Sequence, residues 1–291
     1  ACVGAAVAAA CGRPAVFLCG DEREVQVLSA DLETLTGRRP VTLLGREWQF
    51  RPGAVGSRDW ERSRLAALYA LAQGDAPVVV ATADGLMART LPPETLRSLA
   101  ITLEVGGQAE LGALAEQLLS AGYTRCEQVE GVGQFALRGG ILDVFSPLMD
   151  QPVRCEFFDD EIDSMGAFDP GTQRRTRNVS SARILPAAEV LPHCAPGGLP
   201  GLADQLTALA EKLAKKQKTE AIVQTLREDA ERLRSGAAPG AADRYLAAIY
   251  PTVTAGVHYL PPDAVVFLSE SGRVDERVKN TVLQQKQDVE A

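Results

Sequence analysis

The sequence has few of the residues from which catalytic and metal sites are built. Its 291 residues include two histidines, His193 and His258, and six cysteines that lie far apart with no C-x-x-C pair. A zinc site needs ligands in local pairs, and neither histidine lies near a nucleophile motif. We therefore expect no metal site, no catalytic triad, and thiols that act as small core residues, as is usual in the cytoplasm.

Long apolar runs and clustered positive charge are also missing. No stretch reaches 18 apolar residues, so we expect no membrane-spanning helix. Residues 1–10 lack the charged flank of a signal peptide, and the sequence there reads as a fragment that begins inside a helix. The 30 basic and 38 acidic residues give a net charge of −8. That balance argues against a surface that binds nucleic acid throughout, because phosphate binding needs clustered Lys and Arg.

A phosphate-binding P-loop is absent from the sequence. The motif requires G-x-x-x-x-G-K-[ST], and the single Lys-Thr pair, Lys218-Thr219, follows Gln217 instead of glycine. The apolar run 264–268 reads as a buried strand that leads into Ser269 and Glu270, where ATPases often carry an acidic pair that holds Mg²⁺. Two interpretations stay open: an ordinary strand end, or a decayed Walker B site.

The order of apolar and turn-forming segments predicts an α/β fold. Up to about residue 103, the apolar runs 14–19, 41–44 and 78–82 alternate with helical patterns, which indicates βαβ units and a parallel sheet. The first of these helical patterns opens at Asp21 and ends at Gly37. A helix over 111–121 and then short runs between 134 and 165, separated by turn signals, predict a change to a twisted antiparallel sheet. The proline-rich segment 186–200 reads as a linker back to the first domain. A long helix over 202–234, with a break at 215–218, then precedes the last strand.

Two motifs resemble a known family. The segment GYTRCEQVEGVGQFALRGGILDVF at 122–145 and the segment CEFFDDEIDS at 155–164, followed by FDPGTQR, are similar to the N-terminal, UvrB-like region of bacterial transcription-repair coupling factors (Mfd). The resemblance implies a degenerate RecA-like, P-loop-type body with a parallel sheet. Residues 1–103 would form part 1a of this body, and 188–291 part 1b, which packs on 1a. A small α/β domain with an antiparallel sheet, 104–187, would interrupt the body.

The resemblance implies that the inserted domain binds UvrA, the damage-recognition ATPase of excision repair. The residues that match UvrA-binding positions are Arg125, Arg138, Glu156 and Phe157. Ala136 departs from the pattern, since UvrB commonly has a further arginine there. Period-two alternation puts Ala136 and Arg138 on the same face of their strand. Spacing alone leaves other roles open: each arginine could pair with Glu127, Glu130 or Glu156, and Phe157 could pack in the core, because Phe157 and Phe158 point to opposite faces.

Two functions remain at this stage. UvrB has an intact P-loop and a tyrosine-rich hairpin that holds DNA, whereas the stretch 44–58 here is too short and contains Trp48 and Phe50 but no tyrosine. With Ser269 and Glu270 as a degenerate Walker B pair, the resemblance implies a module without enzymatic activity or cofactor. It would couple stalled RNA polymerase to repair, while an ATP-dependent DNA translocase elsewhere in the full protein contacts polymerase and DNA. The alternative is a UvrB-type ATPase or helicase fragment in damage verification.

Overall fold

The structure, a computed structural model, describes residues 12–46, 59–215 and 220–290, together with positions 2, 4, 6 and 10. These residues divide into two compact units: 12–46 with 59–97 and 254–290, and 98–253. No helix in the described ranges is both long and apolar enough to cross a membrane. Most of the short 44–58 stretch, with Trp48 and Phe50, lies outside the described residues, as does most of the expected helix break.

The first unit is built on a parallel sheet of four strands. They are β1 (Ala15–Cys19), β2 (Val41–Leu43), β3 (Val78–Thr82) and β12 (Val265–Leu268), in the spatial order β12-β1-β3-β2. β1 and β3 are almost entirely buried, as the continuous apolar runs predict for central parallel strands. The α/β class and the parallel sheet are thereby confirmed.

The helix after β1 begins and ends where its sequence signals lie. It spans Glu22–Thr36, and the Asp21 carboxylate accepts a hydrogen bond from the backbone N–H of Glu24 at 2.8 Å. Gly37 ends the helix with φ of 68°, a conformation that glycine adopts without steric cost. The unit also contains the helices Asp59–Gln73, Ala83–Met87 and Ser271–Glu290, the 3₁₀ helix Gly256–Tyr259 and most of the helix Pro93–Leu99.

The prediction that the last strand is buried is wrong. β12 lies at the edge of the sheet and pairs with β1. Phe267 stacks on Phe17 with ring centroids 4.8 Å apart. The alternate side chains Val266 and Leu268 are 54% and 58% exposed. A run of apolar residues cannot tell an edge strand from a central one, because it does not show how many neighbours the strand has.

The second unit contains a six-stranded sheet in the order β10-β9-β8-β7-β6-β5. Its strands are β5 (Thr124–Arg125), β6 (Gln134–Arg138), β7 (Ile141–Val144), β8 (Val153–Phe158), β9 (Glu161–Phe168) and β10 (Arg175–Asn178). All pairs are antiparallel except β5 with β6. The helix Leu111–Ser120 belongs to the same core, to which it contributes Leu114 and Leu118 alongside Phe135 and Leu142. β4 (Ile101–Glu104) and β11 (Ser181–Ile184) form a separate antiparallel pair.

The expected long helix is two helices, Gly198–Lys215 and Glu220–Arg234, which pack against each other. Residues 186–200 do not lead back to the first unit. They include the short 3₁₀ helix Pro192–Cys194, and the backbone N–H of Leu191 donates to the Tyr250 hydroxyl at 3.2 Å within the same unit. The contacts thus group 188–253 with 98–187 and only 254–290 with the parallel sheet. The layout 1–103, 104–187 and 188–291 stays a prediction from the resemblance.

Candidate protein-binding site

One face of the six-stranded sheet carries several charged and polar side chains on neighbouring strands. The strand registers pair Arg138 with Ile141, Ile141 with Glu156, and Glu156 with Ser164. Directly paired residues in an antiparallel sheet point to the same side, so Arg138 and Glu156 share one face. Their side chains are 49% and 46% exposed. We call the residues Arg138, Asp143, Arg154, Glu156 and Arg175 on this side of the sheet the charged face.

A buried carboxylate holds two guanidinium groups of the charged face. Asp143 is fully buried, and its Oδ2 accepts from Nη2 of Arg138 at 2.6 Å. Arg154 donates from Nε to Oδ1 at 2.7 Å and from Nη2 to Oδ2 at 2.8 Å. These hydrogen bonds raise the pKa of Arg154 above its already high usual value. Charge-assisted bonds of this kind fix orientation, so Arg138 presents a half-exposed guanidinium in a defined position.

The Glu156 carboxylate is also held by neighbours on the sheet. The Ser164 hydroxyl donates to Oε2 of Glu156 at 2.7 Å. Nη2 of Arg175 donates to the Ser164 hydroxyl at 3.1 Å and lies 3.6 Å from Oε1 of Glu156. The face therefore offers a carboxylate and a guanidinium, both partly exposed and both oriented by hydrogen bonds.

The structure does not bring Arg125 and Phe157 onto the charged face. Arg125 lies on the edge strand β5 in register with Phe135, whose side chain is buried on the other side of the sheet from Arg138. Phe157 is partly buried against the core and pairs with Ile162, after an irregularity in the β8–β9 register. Its neighbour Phe158 is 76% exposed. The roles of Arg125 and Phe157 remain predictions.

Sequence reasoning missed Asp143, Arg154 and Arg175. The partner of Arg138 is Asp143, not one of the glutamates that spacing suggested. A signal for Asp143 was available: the two-residue Gly139-Gly140 turn pairs position 138 with 141 and 136 with 143, and Asp143 is the one charged residue of its apolar strand. Arg154 and Arg175 reach the face from more distant strands, which spacing does not reveal.

In the first unit, carboxylates crowd the ends of β1 and β12. The backbone N–H of Gly20 donates to Oε2 of Glu24 at 2.8 Å, and the hydroxyl of Ser269 hydrogen-bonds to the other oxygen of Glu24. Arg273 pairs with Asp21 and lies 3.5 Å from Oε2 of Glu270. Ser269 and Glu270, the predicted degenerate Walker B pair, therefore lie close to the start of the helix Glu22–Thr36.

The described residues contain no cluster of metal ligands, and two of their cysteines are buried in the core. No group of three or more His, Cys, Asp or Glu side chains in those ranges could hold a metal ion. Burial raises the pKa of Cys19 and of Cys155 to about 12, which keeps both thiols protonated at neutral pH. Thiolate is the nucleophilic form of cysteine, so these two residues act as core side chains.

Comparison with known proteins relates the sequence that carries the charged face to a known domain family. Residues 101–189 match the family model described as the UvrB interaction domain. The chain is 30% identical over 268 residues to the transcription-repair-coupling factor of Bacillus subtilis (strain 168), which covers 91% of this chain and 23% of the relative. This chain is related to the transcription-repair coupling factors. The corresponding protein of Myxococcus xanthus is 35% identical over 233 residues, 77% of this chain and 19% of that protein.

The chain spans less than a quarter of the length of these coupling factors. Its UvrB interaction domain contains all five residues of the charged face as well as Arg125 and Phe157. Ser269 and Glu270 lie outside that domain. The family model therefore matches the six-stranded sheet that carries the charged face. The parallel sheet lies outside that model, and its relation to the coupling factors rests on the longer alignments with whole relatives.

Proposed function

We propose that this chain is a recruitment module of a transcription-repair coupling factor that binds UvrA through its UvrB interaction domain. The observation that carries the proposal is the charged face: inside the matched domain, Arg138 and Glu156 are half exposed yet fixed in place by Asp143 and Ser164. Oriented arginines are frequent anchors of protein interfaces. Arg125 and Phe157 would add contacts at the margins of this surface.

In this proposal the chain works in the cytoplasm without a cofactor, and it couples stalled RNA polymerase to nucleotide excision repair. RNA polymerase and DNA would be contacted by other parts of the longer protein, where the ATP-dependent translocase would lie. The length comparison supports this division, since more than three quarters of each relative lies outside the match.

The proposal also assigns this chain no ATPase activity. In P-loop proteins the backbone N–H groups at the start of a helix bind phosphate. Here the N–H of Gly20 and that of Glu24 already donate to the carboxylates of Glu24 and Asp21. Glu22 adds a further negative charge in the first turn. A phosphate would have to displace these carboxylates against like-charge repulsion, which supports a role without nucleotide.

The test of the binding surface is Arg138→Ala. Removal of the guanidinium should weaken UvrA binding by about 2 kcal/mol, the loss typical of an interface hot spot, which is roughly a 30-fold rise in Kd. Folding should survive, because Asp143 keeps both hydrogen bonds from Arg154. Isothermal titration calorimetry with purified UvrA measures the affinity, and circular dichroism checks the fold.

Arg177→Ala is the matched control. Arg177 is exposed on β10, and its register with Ala167 places it on the other side of the sheet from the charged face. Its loss removes the same charge from the same domain and should change Kd less than two-fold. Equal affinity of the wild-type chain and the Arg138→Ala variant would show that UvrA does not bind the charged face.

A nucleotide titration separates the module from the alternative, a UvrB-type ATPase or helicase fragment. We expect no heat when ATP and Mg²⁺ are titrated into the chain at concentrations up to about 1 mM, because the backbone N–H groups that a phosphate would need already donate to Asp21 and Glu24. A nucleotide-binding protein in the same buffer is the positive control. A micromolar affinity for ATP would contradict the module and favour the ATPase.

A further inference from the structure

Arg175 reaches the charged face by lying across a glycine of the neighbouring strand. Arg175 pairs with Phe168 at the outer edge of the sheet, and its side chain extends back along β9 over Gly166. A methyl group on Gly166 would stand 2.8 Å from Cδ and 2.9 Å from Cγ of Arg175, closer than van der Waals contact allows. Only glycine at position 166 therefore leaves room for this path.

The path ends at Glu156. Along it, Nη1 of Arg175 lies 3.4 Å from Oδ1 of Asn178, while Nη2 donates to the Ser164 hydroxyl, which in turn donates to Glu156. The same Nη2 atom lies 3.6 Å from Oε1 of Glu156. Each oxygen of the carboxylate thus has one neighbour that restrains it, although 46% of the side chain is open to solvent.

We propose that Arg175, admitted by Gly166, is a positioning residue that holds Glu156 in the conformation in which it contacts UvrA. The inference rests on the proposed function and extends the binding machinery to β10, beyond the residues that the family resemblance marks. A carboxylate that is already ordered loses less conformational entropy when it binds. The UvrA surface opposite Glu156 would then carry a hydrogen-bond donor or a positive charge.

Gly166→Ala tests the position of Arg175 without removing a charge. The three atoms nearest to the added methyl group all belong to the flexible part of the Arg175 side chain, which can swing into solvent, so the sheet should fold normally. We expect Gly166→Ala and Arg175→Ala each to raise the Kd for UvrA about five-fold, a modest effect for an interface residue. In the Gly166→Ala, Arg175→Ala double variant the rise should be no larger than in Arg175→Ala.

Two controls match these variants. Gly171→Ala makes the same substitution in an exposed turn of the same unit, where the new methyl group would meet only Oδ1 of Asp169 at 3.5 Å. Arg177→Ala removes an exposed arginine from the same strand on the other side of the sheet. Both should leave the Kd within two-fold of the wild-type value.

A double-mutant cycle separates positioning from a general structural role. If Arg175 acts through Glu156, Arg175→Ala should have no further effect on affinity once Glu156→Gln is present. Additive effects of Arg175→Ala and Glu156→Gln overturn the inference. If Arg175→Ala leaves the affinity for UvrA unchanged while Arg138→Ala weakens it, the role of Arg175 is wrong but the proposed function stands. If neither variant changes the affinity, both the role of Arg175 and the proposed binding surface are wrong.

Discussion

At the scale of single residues, one ion pair connects distant parts of the first unit. Arg277 donates from Nε to Oδ1 of Asp84 at 2.6 Å and from Nη2 to Oδ2 at 2.8 Å. Both side chains are about four-fifths buried, with 23% and 21% of their surface exposed. Burial acts to raise the pKa of Asp84, but the hydrogen bonds and charge of Arg277 outweigh it, so the pKa lies below its usual value.

The depressed pKa predicts how Asp84→Asn alters stability with pH. A carboxyl group whose pKa is lower in the folded state stabilises that state above the unfolded pKa, near 3.9, and loses the effect as pH falls through the folded pKa. At pH 7 the substitution should lower the free energy of unfolding by about 1–3 kcal/mol, because it leaves the mostly buried Arg277 with only the more distant Glu22, at 3.6 Å, as a charged partner.

Urea unfolding of the wild-type and Asp84→Asn chains at pH 7 and at pH 2 measures this effect. The difference between the two chains should shrink markedly at pH 2, because below the unfolded pKa, near 3.9, protonation of this carboxyl group favours the unfolded wild-type chain. Asp31→Asn, an exposed position on the helix Glu22–Thr36, should change stability little at either pH. A difference between wild type and Asp84→Asn that stays constant down to pH 2 would contradict the ionised pair.

At the scale of elements, the sequence predicted those strands and helix ends that depend on interactions between residues close together in the chain. The continuous apolar run 78–82 gave β3, and Asp21 and Gly37 marked the ends of a helix because capping hydrogen bonds and left-handed backbone are short-range effects. Period-two alternation likewise placed Arg138 and Ala136 on the same side of β6. These parts of the fold and of the candidate site follow from residues close together in the chain.

Contacts between residues that are distant in the sequence could not be predicted from local patterns. The run 264–268 could not show that β12 lies at an edge, since burial depends on which strands and helices cover it. The Arg138 partner follows from a two-residue turn, but Arg154 and Arg175 depend on the order of strands across the sheet. Gly166 is part of the site only because a long side chain from β10 crosses it, which no spacing in the sequence reveals.

At the scale of the whole molecule, the arginines of the charged face do not make it a basic surface. Arg138 and Arg154 share the carboxylate of Asp143, and Arg175 lies next to Glu156. Residues 104–186 contain 13 acidic and 7 basic residues, a net charge of 7 − 13 = −6 out of the −8 of the chain. The potential around this unit should therefore favour a protein partner over the phosphates of DNA.

The final prediction follows from that charge balance: duplex DNA should bind weakly or not at all. Non-specific DNA binding comes almost entirely from phosphate contacts made by Lys and Arg. On the charged face, carboxylates lie beside the arginines and compete with phosphate for them. A fluorescent duplex of about 20 base pairs should show no anisotropy change at about 10 µM chain and 150 mM salt, whereas a DNA-binding protein of similar size gives a clear change under the same conditions. A dissociation constant below about 1 µM at that salt concentration, with a steep dependence on ionic strength, would contradict this prediction. It would mean that the chain itself binds DNA and has a role beyond recruitment.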